Sequence, residues 1–310
     1  MFLICGEALY DVFVESDTAA GLRLDARIGG SPFNVALGLS RLGQRSALFT
    51  GVSLDLLGDR LMRAMKEEGI ETGFLARKTN LSTLALVDLR SDSGARYSFY
   101  GGQSADRALQ RGDLPDLPED VDCLHFGSYS LVAEPTAGAL LELAERESGT
   151  RLITLDPNVR LAVEPQVDVW RRRVELFTNF ANIVKASDED LAQLYPERSA
   201  GAVAESWLRA GVSLVVVTRG DGGATLWSGD KRVDQPAAPT DVVDTVGAGD
   251  SFQAALLCGL AELGKLSPEG ILDLDPDLAQ RLLAFAAQAA AATCARRGAD
   301  LPRRAELPDL

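Results

Sequence analysis

The sequence predicts an α/β protein in which helices cover both faces of a mostly parallel sheet (a doubly wound α/β/α sandwich), with a small second β-sheet beside it. Two observations lead to this prediction. Short apolar runs alternate along the chain with longer segments of helical period, which is the pattern of successive βαβ units. Two other stretches, residues 10–28 and 82–100, alternate apolar and polar residues with no helix between the strands.

Six apolar runs are predicted to be buried strands, because each is short and is bounded by turn residues. They are residues 2–5, 46–52, 123–126, 152–155, 183–185 and 214–218. Five segments of helical period lie between them, at residues 31–42, 57–68, 135–147, 167–180 and 202–210. Gly43 and Gly69 follow the first two of these segments, and glycine commonly ends a helix.

The two stretches of strand-like alternation are predicted to form a small antiparallel sheet, with a hairpin turn at residues 91–94 (SDSG). A separate sheet attached to an α/β core can close over a ligand. We therefore expect one domain, residues 1–310, with a lid formed by about residues 10–29 and 81–106. Exposed lid strands can pair with those of a second copy, so a homodimer through the lid is also expected.

Composition excludes several classes of protein. With 310 residues, 46% hydrophobic and 25% charged, the chain can bury a large core and is not of the disordered type. A net charge of −14 argues against a nucleic-acid partner. The four cysteines form no Cys-x-x-Cys pair, which excludes the common zinc spacings, and the single histidine leaves almost no material for a His-rich metal site or a Ser-His-Asp triad. With no basic leader and no apolar stretch long enough for a bilayer, a cytoplasmic protein without membrane contact is expected.

Residues 244–252 read DTVGAGDSF and precede an apolar-faced helix predicted at residues 253–263. Glycines before a helix let successive N–H groups point outward at the positive end of the helix dipole, which makes an anion site. A carboxylate there would repel phosphate, but it suits a base that takes the proton from a hydroxyl attacking a phosphoryl group. On this segment alone two interpretations of Asp250 stay open, a catalytic base and a helix N-cap.

A second glycine-rich segment, residues 29–43, reads GGSPFNVALGLSRLG. Its glycine pair permits a close backbone approach, and Pro32 suits the first turn of a helix. Asn34 lies in that turn, where its amide can offer a donor and an acceptor to ligand hydroxyls. The sequence has no Walker-type phosphate loop, and Phe252 replaces the third glycine of a dinucleotide fingerprint. Any nucleotide must therefore be bound in another way.

Together these two segments resemble the two signature motifs of the PfkB, or ribokinase-like, carbohydrate kinase family. The resemblance extends over essentially the whole chain, through GEALYD (6–11), DPNVR (156–160), VTRGDGG (217–223) and RGA (297–299). It implies a ribokinase-like fold and ATP-dependent phosphorylation of a primary hydroxyl of a sugar. The opening motif, the glycine pair segment, HFGS (125–128) and DPNVR are similar to bacterial fructokinases, so D-fructose is the expected sugar.

The resemblance also implies roles for individual residues. Asp250 would be the base, the amides of Gly247, Ala248 and Gly249 would hold the phosphoryl group, and Arg160 would approach it. The sugar-binding residues would be Asp11, Gly29, Gly30, Asn34 and Phe99. The nucleotide-binding residues would be Lys185, Thr218, Gly220, Gly223 and Gly249. The implied ligands are ATP and Mg²⁺, with K⁺ near Asp244 and Val246 as an option.

Two segments depart from the family pattern. Residues 185–190 read KASDED, so Ser187 and Asp190 stand where many relatives carry Asn-x-x-Glu for magnesium-bound water. Asp190 is thus a candidate metal ligand through water, and an N-cap with an acidic first turn explains the segment equally well. Residues 99–106 read FYGGQSAD, so Gly101 and Gly102 replace an arginine and an acidic residue of fructokinase-like relatives.

The second departure leaves the acceptor open. A 2-keto-3-deoxygluconate kinase, or another sugar kinase of the family, is the alternative within the same chemistry. A non-catalytic sugar-binding regulatory protein on a kinase scaffold is the alternative of another class. The intact Gly-Ala-Gly-Asp segment at residues 247–250 favours an enzyme, because loss of the base would mark a non-catalytic relative.

Overall fold

The structure is a computed structural model that describes residues 1–88 and 96–310. Its strands are β1 (Phe2–Cys5), β2 (Leu9–Thr18), β3 (Gly21–Gly29), β4 (Ser46–Phe49), β5 (Gly51–Ser53), β6 (Ala76–Lys78), β7 (Leu84–Asp88), β8 (Arg96–Tyr100), β9 (Cys123–Gly127), β10 (Leu152–Asp156), β11 (Ile183–Ser187), β12 (Leu214–Thr218), β13 (Ala224–Ser228) and β14 (Lys231–Gln235). Its α-helices are α1 (Ser31–Arg41), α2 (Leu56–Glu67), α3 (Thr136–Glu147), α4 (Val167–Thr178), α5 (Asp188–Leu194), α6 (Ala200–Arg209), α7 (Ala248–Glu262), α8 (Pro268–Leu272) and α9 (Pro276–Cys294).

The main sheet has eight strands in the order β14-β13-β12-β11-β10-β9-β1-β4. From β4 to β12 every neighbouring pair is parallel, and the β13–β14 hairpin adds two antiparallel strands at one edge. The predicted mostly parallel sheet is therefore confirmed. The sequence prediction had not included the edge hairpin.

Alternate residues of the central strands enter two different cores. On β1, Phe2 and Ile4 pack in a core with residues of α1, α7 and α9. Leu3 and Cys5 pack in a second core with residues of α3, α4 and α6. Because both faces of the sheet are covered, its strands are apolar throughout rather than alternating, which explains the short apolar runs in the sequence.

A second sheet of four strands, in the order β3-β2-β7-β8, lies beside the main one; we call it the small sheet. The pairs β2–β3 and β7–β8 are antiparallel, but β2 and β7 are parallel. The prediction of a purely antiparallel sheet was wrong for this pair. The chain passes through α1 and α2 between β3 and β7, and such a crossover allows parallel pairing where a hairpin does not. The predicted turn at residues 91–94 lies outside the described residues.

The strand predicted at residues 46–52 is two strands in the structure. β4 ends at Phe49 in the main sheet, whereas β5 begins at Gly51 and pairs with β6. A side chain at Gly51 would lie 1.9 Å from the carbonyl oxygen of Ala105, so the chain leaves the main sheet where glycine permits this approach.

The carboxyl ends of the parallel strands meet at one edge of the main sheet, which is where ligands bind in open α/β folds. Helices α1 and α7 begin at this edge, and the small sheet reaches it through β2 and β8. Within residues 1–88 and 96–310, no helix combines the length and the apolarity needed to cross a membrane.

Candidate active site

A cavity of about 610 Å³ opens at the carboxyl edge of the main sheet. Residues that follow the strands line it, together with the first turns of α1 and α7 and with β2 and β8 of the small sheet. Twelve of the predicted site residues meet there: Asp11, Gly30, Asn34, Phe99, Arg160, Lys185, Asp190, Thr218, Gly220, Gly247, Gly249 and Asp250. Gly29, Ala248 and Gly223 are not among the lining residues.

Asp250 is the third residue of α7, and Gly247 is the N-cap of that helix. The carboxylate of Asp250 accepts hydrogen bonds from Ser31 Oγ at 2.6 Å and from Asn34 Nδ2 at 2.8 Å, both on the first turn of α1. The N-cap interpretation of Asp250 is therefore wrong. A carboxylate that is 6% exposed and faces the cavity is instead placed to accept a proton from a bound hydroxyl.

The start of α7 forms an anion site at the same place. Gly247 has a φ of 80°, the left-handed conformation that glycine adopts without strain. The N–H of Ala248 donates to Thr245 O at 3.2 Å, so the prediction that Ala248 offers an amide to phosphate is not supported by this geometry. The amides that remain for an anion at this helix end are those of Gly247 and Gly249.

A buried ion pair lies below this helix end. Lys185 Nζ is 2.7 Å from Asp156 Oδ2, and the two side chains are 4% and 1% exposed. The same ammonium would be 3.2 Å from a β-carbon at Gly249, so a side chain there would push the ammonium away from the helix terminus. Burial opposes the charge of Lys185, but Asp156, Asp190 and Asp250 outweigh it and raise the pKa of the ammonium. The site thus carries a permanent positive charge beneath its amides.

Asp11 lies on β2 at the side of the cavity formed by the small sheet. Burial raises its pKa to about 6, with Arg160 opposing and Asp250 adding to the shift. A β-carbon at Gly29 would lie 2.2 Å from Asp11 Oδ2, so the absence of a side chain at Gly29 gives this carboxylate its place. The geometry gives Gly29 this supporting part, while a direct sugar contact stays a prediction.

Two residues that line the cavity have left-handed backbone conformations without being glycine. Ser128 follows β9 with a φ of 57°, and Asn158 follows β10 with a φ of 40°. The amide of Asn158 is 3.5 Å from Asp250 Oδ1. Strained conformations of this kind cluster at functional sites, because the surrounding fold must hold them in place.

Arg160 follows Asn158 and is exposed on the cavity. Its Nη1 donates to Val159 O at 3.0 Å, and among residues 1–88 and 96–310 the guanidinium forms no ion pair. Its guanidinium is therefore not committed to a surface ion pair in the described part of the chain. A free guanidinium at the cavity mouth suits an anionic ligand.

The predicted nucleotide side lies at the end of β12. Thr218 and Gly220 line the cavity there. Gly223 has a φ of 80°, and a side chain on it would lie 2.0 Å from Gln235 O, so it forms the turn into the edge hairpin. This turn explains why position 223 is a glycine. A nucleotide contact by Gly223 stays a prediction.

Asp190 and Ser187 form a capping box at the start of α5. Asp190 Oδ2 accepts from Ser187 Oγ at 2.7 Å, and Asp190 Oδ1 accepts from the N–H of Val159 at 2.7 Å. The local N-cap interpretation is thus realised in the structure. Both oxygens keep lone pairs for a water molecule, and Asp190 faces the cavity.

The side chains of the cavity offer few clustered ligands for a metal ion. In the described part of the chain, no group of three His, Cys, Asp or Glu side chains could hold a metal ion. Magnesium needs no such cage when phosphate oxygens and water supply most of its ligands. The residues therefore fit a Mg²⁺ that arrives with a nucleotide and reaches Asp190 through water.

Asp244 joins the glycine segment of α7 to the C-terminal region. Its Oδ2 accepts from the N–H of Gly298 at 2.8 Å, and its Oδ1 accepts from the N–H of Val246 at 3.0 Å. These bonds hold the two loops together beside the anion site. The prediction of K⁺ near Asp244 and Val246 stays a prediction.

The departure at Gly101 has a steric reason. A β-carbon at Gly101 would lie 2.7 Å from Thr83 Oγ1, and Thr83 is fully buried. The arginine of fructokinase-like relatives does not fit here unless Thr83 moves. The sugar end of the cavity is lined instead by Phe99 and Tyr129, whose rings meet edge to face with centroids 6.0 Å apart.

Sequence reasoning did not assign four residues that the structure places at this site: Glu7, Ser31, Ser128 and Asn158. All four belong to the motif segments named above. Their contacts could not be predicted from these local motifs, because Ser31, for example, reaches Asp250 across 219 positions of the chain.

The comparisons with known proteins agree with this geometry. Residues 3–305 match the model of the pfkB family of carbohydrate kinases. The chain is 37% identical over 275 residues to a fructokinase of Rhizobium leguminosarum bv. trifolii, covering 89% of this chain and 84% of that protein. It is also 32% identical to a probable fructokinase of Arabidopsis thaliana, covering 91% and 86% of the two chains.

Among solved structures, the chain resembles the fructokinase of Xylella fastidiosa with bound ATP, at a TM-score of 0.89 and 26% identity, over 99% of this chain and 94% of that one. The predicted ribokinase-like fold is thereby confirmed. Since the family model matches nearly the whole chain, the chain belongs to the pfkB family of carbohydrate kinases.

Proposed function

We propose that this protein is an ATP-dependent fructokinase, which transfers the γ-phosphate of ATP to a primary hydroxyl of D-fructose. The observation that carries the proposal is the position of Asp250. Its carboxylate lies at the N-terminus of α7 beside an amide-lined anion site, and it faces a cavity large enough for a sugar and a triphosphate. The choice of D-fructose is supported by two relatives, the fructokinase of Rhizobium leguminosarum and the probable fructokinase of Arabidopsis thaliana.

The reaction follows from these contacts. Asp250 accepts the proton of the sugar hydroxyl, and the hydroxyl oxygen forms a bond to the γ-phosphorus of ATP. The bond between that phosphorus and the bridging oxygen breaks, and ADP leaves with the electron pair. The amides of Gly247 and Gly249 stabilise the charge on the transferred group, and Arg160 approaches it from the mouth of the cavity.

Asp11, Gly30 and Asn34 bind the sugar in this proposal. Asp11 offers acceptor oxygens, and Asn34 Oδ1 is buried without a partner among the described residues, so it can accept from a sugar hydroxyl. Gly29 supports Asp11, and Phe99 forms an apolar wall. Lys185, Thr218 and Gly220 face the triphosphate in this proposal, because they line the cavity at the carboxyl ends of β11 and β12.

Mg²⁺ neutralises phosphate charge when it is bound, and Asp190 would hold it through water. Asp190 cannot turn freely toward a metal, since its oxygens already accept from Ser187 and Val159. We infer that the protein contributes little to the affinity for the ion and that the ion enters with ATP. Activation by K⁺ and a cytoplasmic location stay predictions.

The small sheet acts as a lid in this proposal, since β2 and β8 reach the cavity mouth. A closed lid excludes water from the transferred phosphoryl group. Leu22 and Leu24 on its edge strand β3 are 52% and 49% exposed, which supports the predicted homodimer through the lid. Gel filtration that finds only monomer at micromolar concentration would remove the dimer from the proposal.

The test is ADP release from Mg-ATP with a panel of acceptors: fructose, ribose, 2-keto-3-deoxygluconate, tagatose and a nucleoside. We expect fructose to be preferred, with the Asp250→Asn variant inactive on every acceptor. Preference for 2-keto-3-deoxygluconate would keep the mechanism and replace the sugar, in line with the glycines at 101 and 102. If no acceptor on the panel causes ADP release although the protein still binds ATP, the alternative of a regulatory protein on a kinase scaffold would be favoured.

A further inference from the structure

We propose that Glu7 is a specificity-determining residue, whose carboxylate accepts a hydrogen bond from a hydroxyl of the acceptor sugar. The inference rests on the proposed function, because it names a contact inside the same cavity. Glu7 follows β1 and lines the sugar end of the cavity with Gly30, Ser128 and Tyr129. Its side chain is 1% exposed, so it forms part of the cavity floor and not of its rim.

The partners of Glu7 are hydroxyls. Ser130 Oγ donates to Glu7 Oε2 at 2.5 Å, and the Ser128 hydroxyl also stabilises the charged carboxylate. Among residues 1–88 and 96–310, no lysine or arginine lies within ion-pair distance of it. An ionised carboxylate has about four acceptor positions, so two serines leave capacity for a further donor.

The hydrogen bond with Ser130 does not by itself explain why residue 7 is an ionisable glutamate. A glutamine would accept the same hydrogen bond from Ser130 without the desolvation cost of a carboxylate. Burial raises the pKa of Glu7 to about 7, with Asp106 adding to the shift, so the fold carries this cost without a compensating cation. A ligand hydroxyl that donates to the carboxylate supplies the missing interaction.

Gly30 makes room for Glu7 at the wall of the cavity. A β-carbon at Gly30 would lie 2.9 Å from Glu7 O and 3.3 Å from Glu7 Cγ, and Gly30 itself has a φ of 102°. A larger residue at position 30 would therefore press on the backbone and the side-chain stem of Glu7 and displace it. The glycine pair thus serves two carboxylates, since Gly29 makes room for Asp11 and Gly30 makes room for Glu7.

The test compares wild type with Glu7→Gln and Glu7→Asp on the preferred sugar and on each monodeoxy analogue that keeps the reacting hydroxyl. We expect both variants to lower kcat/KM for the sugar by about 10- to 100-fold, the range for a hydrogen bond to a charged group, with KM for ATP nearly unchanged. For the analogue that lacks the hydroxyl bound by Glu7, we expect wild type and variants to agree within about twofold, because the contact is already lost.

Two results would overturn the inference. The first is a loss of kcat/KM in the variants that is equal for the sugar and for every analogue, which indicates a structural role. The second is no loss of kcat/KM on any of them. Glu7→Asp keeps the charge and guards against a Glu7→Gln protein that fails to fold. Ser130→Ala is the matched control, because it removes the Ser130 contact and leaves the carboxylate; it should preserve the discrimination between sugar and analogue. If the wild-type protein phosphorylates no acceptor at all, the proposed function is wrong, and this outcome can be told apart from the two results above.

Discussion

Ser31 Oγ donates a 2.6 Å hydrogen bond to Asp250 Oδ1, although the two residues are 219 positions apart in the chain. Asn34 donates to the other carboxylate oxygen at 2.8 Å. The first turns of α1 and α7 therefore form one unit, in which α1 holds the carboxylate of Asp250. A sugar that contacts Asn34 is placed beside Asp250 by the same helix turn.

Asp250→Asn should lower kcat by at least about 100-fold with ATP affinity nearly unchanged, because the variant loses a base and not a phosphate ligand. The fold should tolerate it, since Asn34 Oδ1 is free among the described residues and the amide of Asn34 can turn to accept from the new Asn. Steady-state kinetics and ATP titration measure this. Ser31→Ala, which removes one donor and keeps the base, should lose much less, and near-normal turnover of Asp250→Asn would contradict its role.

Lys185→Met should weaken ATP binding by about tenfold or more and destabilise the fold by about 3–5 kcal/mol, because it leaves the buried carboxyl of Asp156 without its cationic partner. ATP titration and chemical unfolding separate the two effects. The double variant Lys185→Met/Asp156→Asn should recover much of the stability but not the ATP affinity. Recovery of both would mean that the lysine serves only the ion pair.

Gly247→Ala should destabilise the protein more than Gly43→Ala does. Both glycines have a φ near 80°, but a β-carbon at Gly247 would lie 2.7 Å from Ala299 Cβ, whereas nothing lies within 4 Å at Gly43. Gly43→Ala should therefore cost only the conformational strain, about 1 kcal/mol. Urea unfolding of both variants measures the difference, and equal costs would contradict the close packing at the anion site.

Glu7→Gln should gain stability relative to wild type as pH rises. The fold raises the pKa of Glu7 from 4.5 to about 7, so between these values the folded protein binds more protons than the unfolded chain. Wild-type stability contributed by this group is full below pH 4.5 and is lost as pH rises through 7, by about 3 kcal/mol in total. Unfolding free energies at pH 5 and pH 8 should show the variant gaining on wild type by that order, and a pH-independent difference would count against a buried carboxyl.

The sequence predicted the main sheet well because its strands are buried on both faces, which leaves a continuous apolar run such as residues 214–218. It predicted Asp11, Asn34 and Asp250 through motifs. The parallel pairing of β2 with β7 could not be seen, because local alternation is the same for parallel and antiparallel neighbours.

The remaining differences have the same origin. Residues 46–52 are apolar throughout, yet the chain changes sheets at Gly51 because Ala105, distant in sequence, packs against it. The capping box of Asp190 is local and could be weighed from the sequence. The hydrogen bonds of Ser31, Glu7 and Asn158 could not, since each depends on a partner brought near by the fold.

The left-handed conformations of Ser128 and Asn158 lower the stability of the folded protein in exchange for two side chains held at the cavity. Glycine at either position would relax the backbone, but it would remove a side chain that contacts a carboxylate of the cavity, which is Glu7 for Ser128 and Asp250 for Asn158. An effort to engineer a hardier enzyme should therefore leave these two positions alone and seek its gains in the edge hairpin and the distal helices. Laboratory evolution for thermal tolerance alone would be expected to drift toward glycine here and to yield a durable but sluggish catalyst.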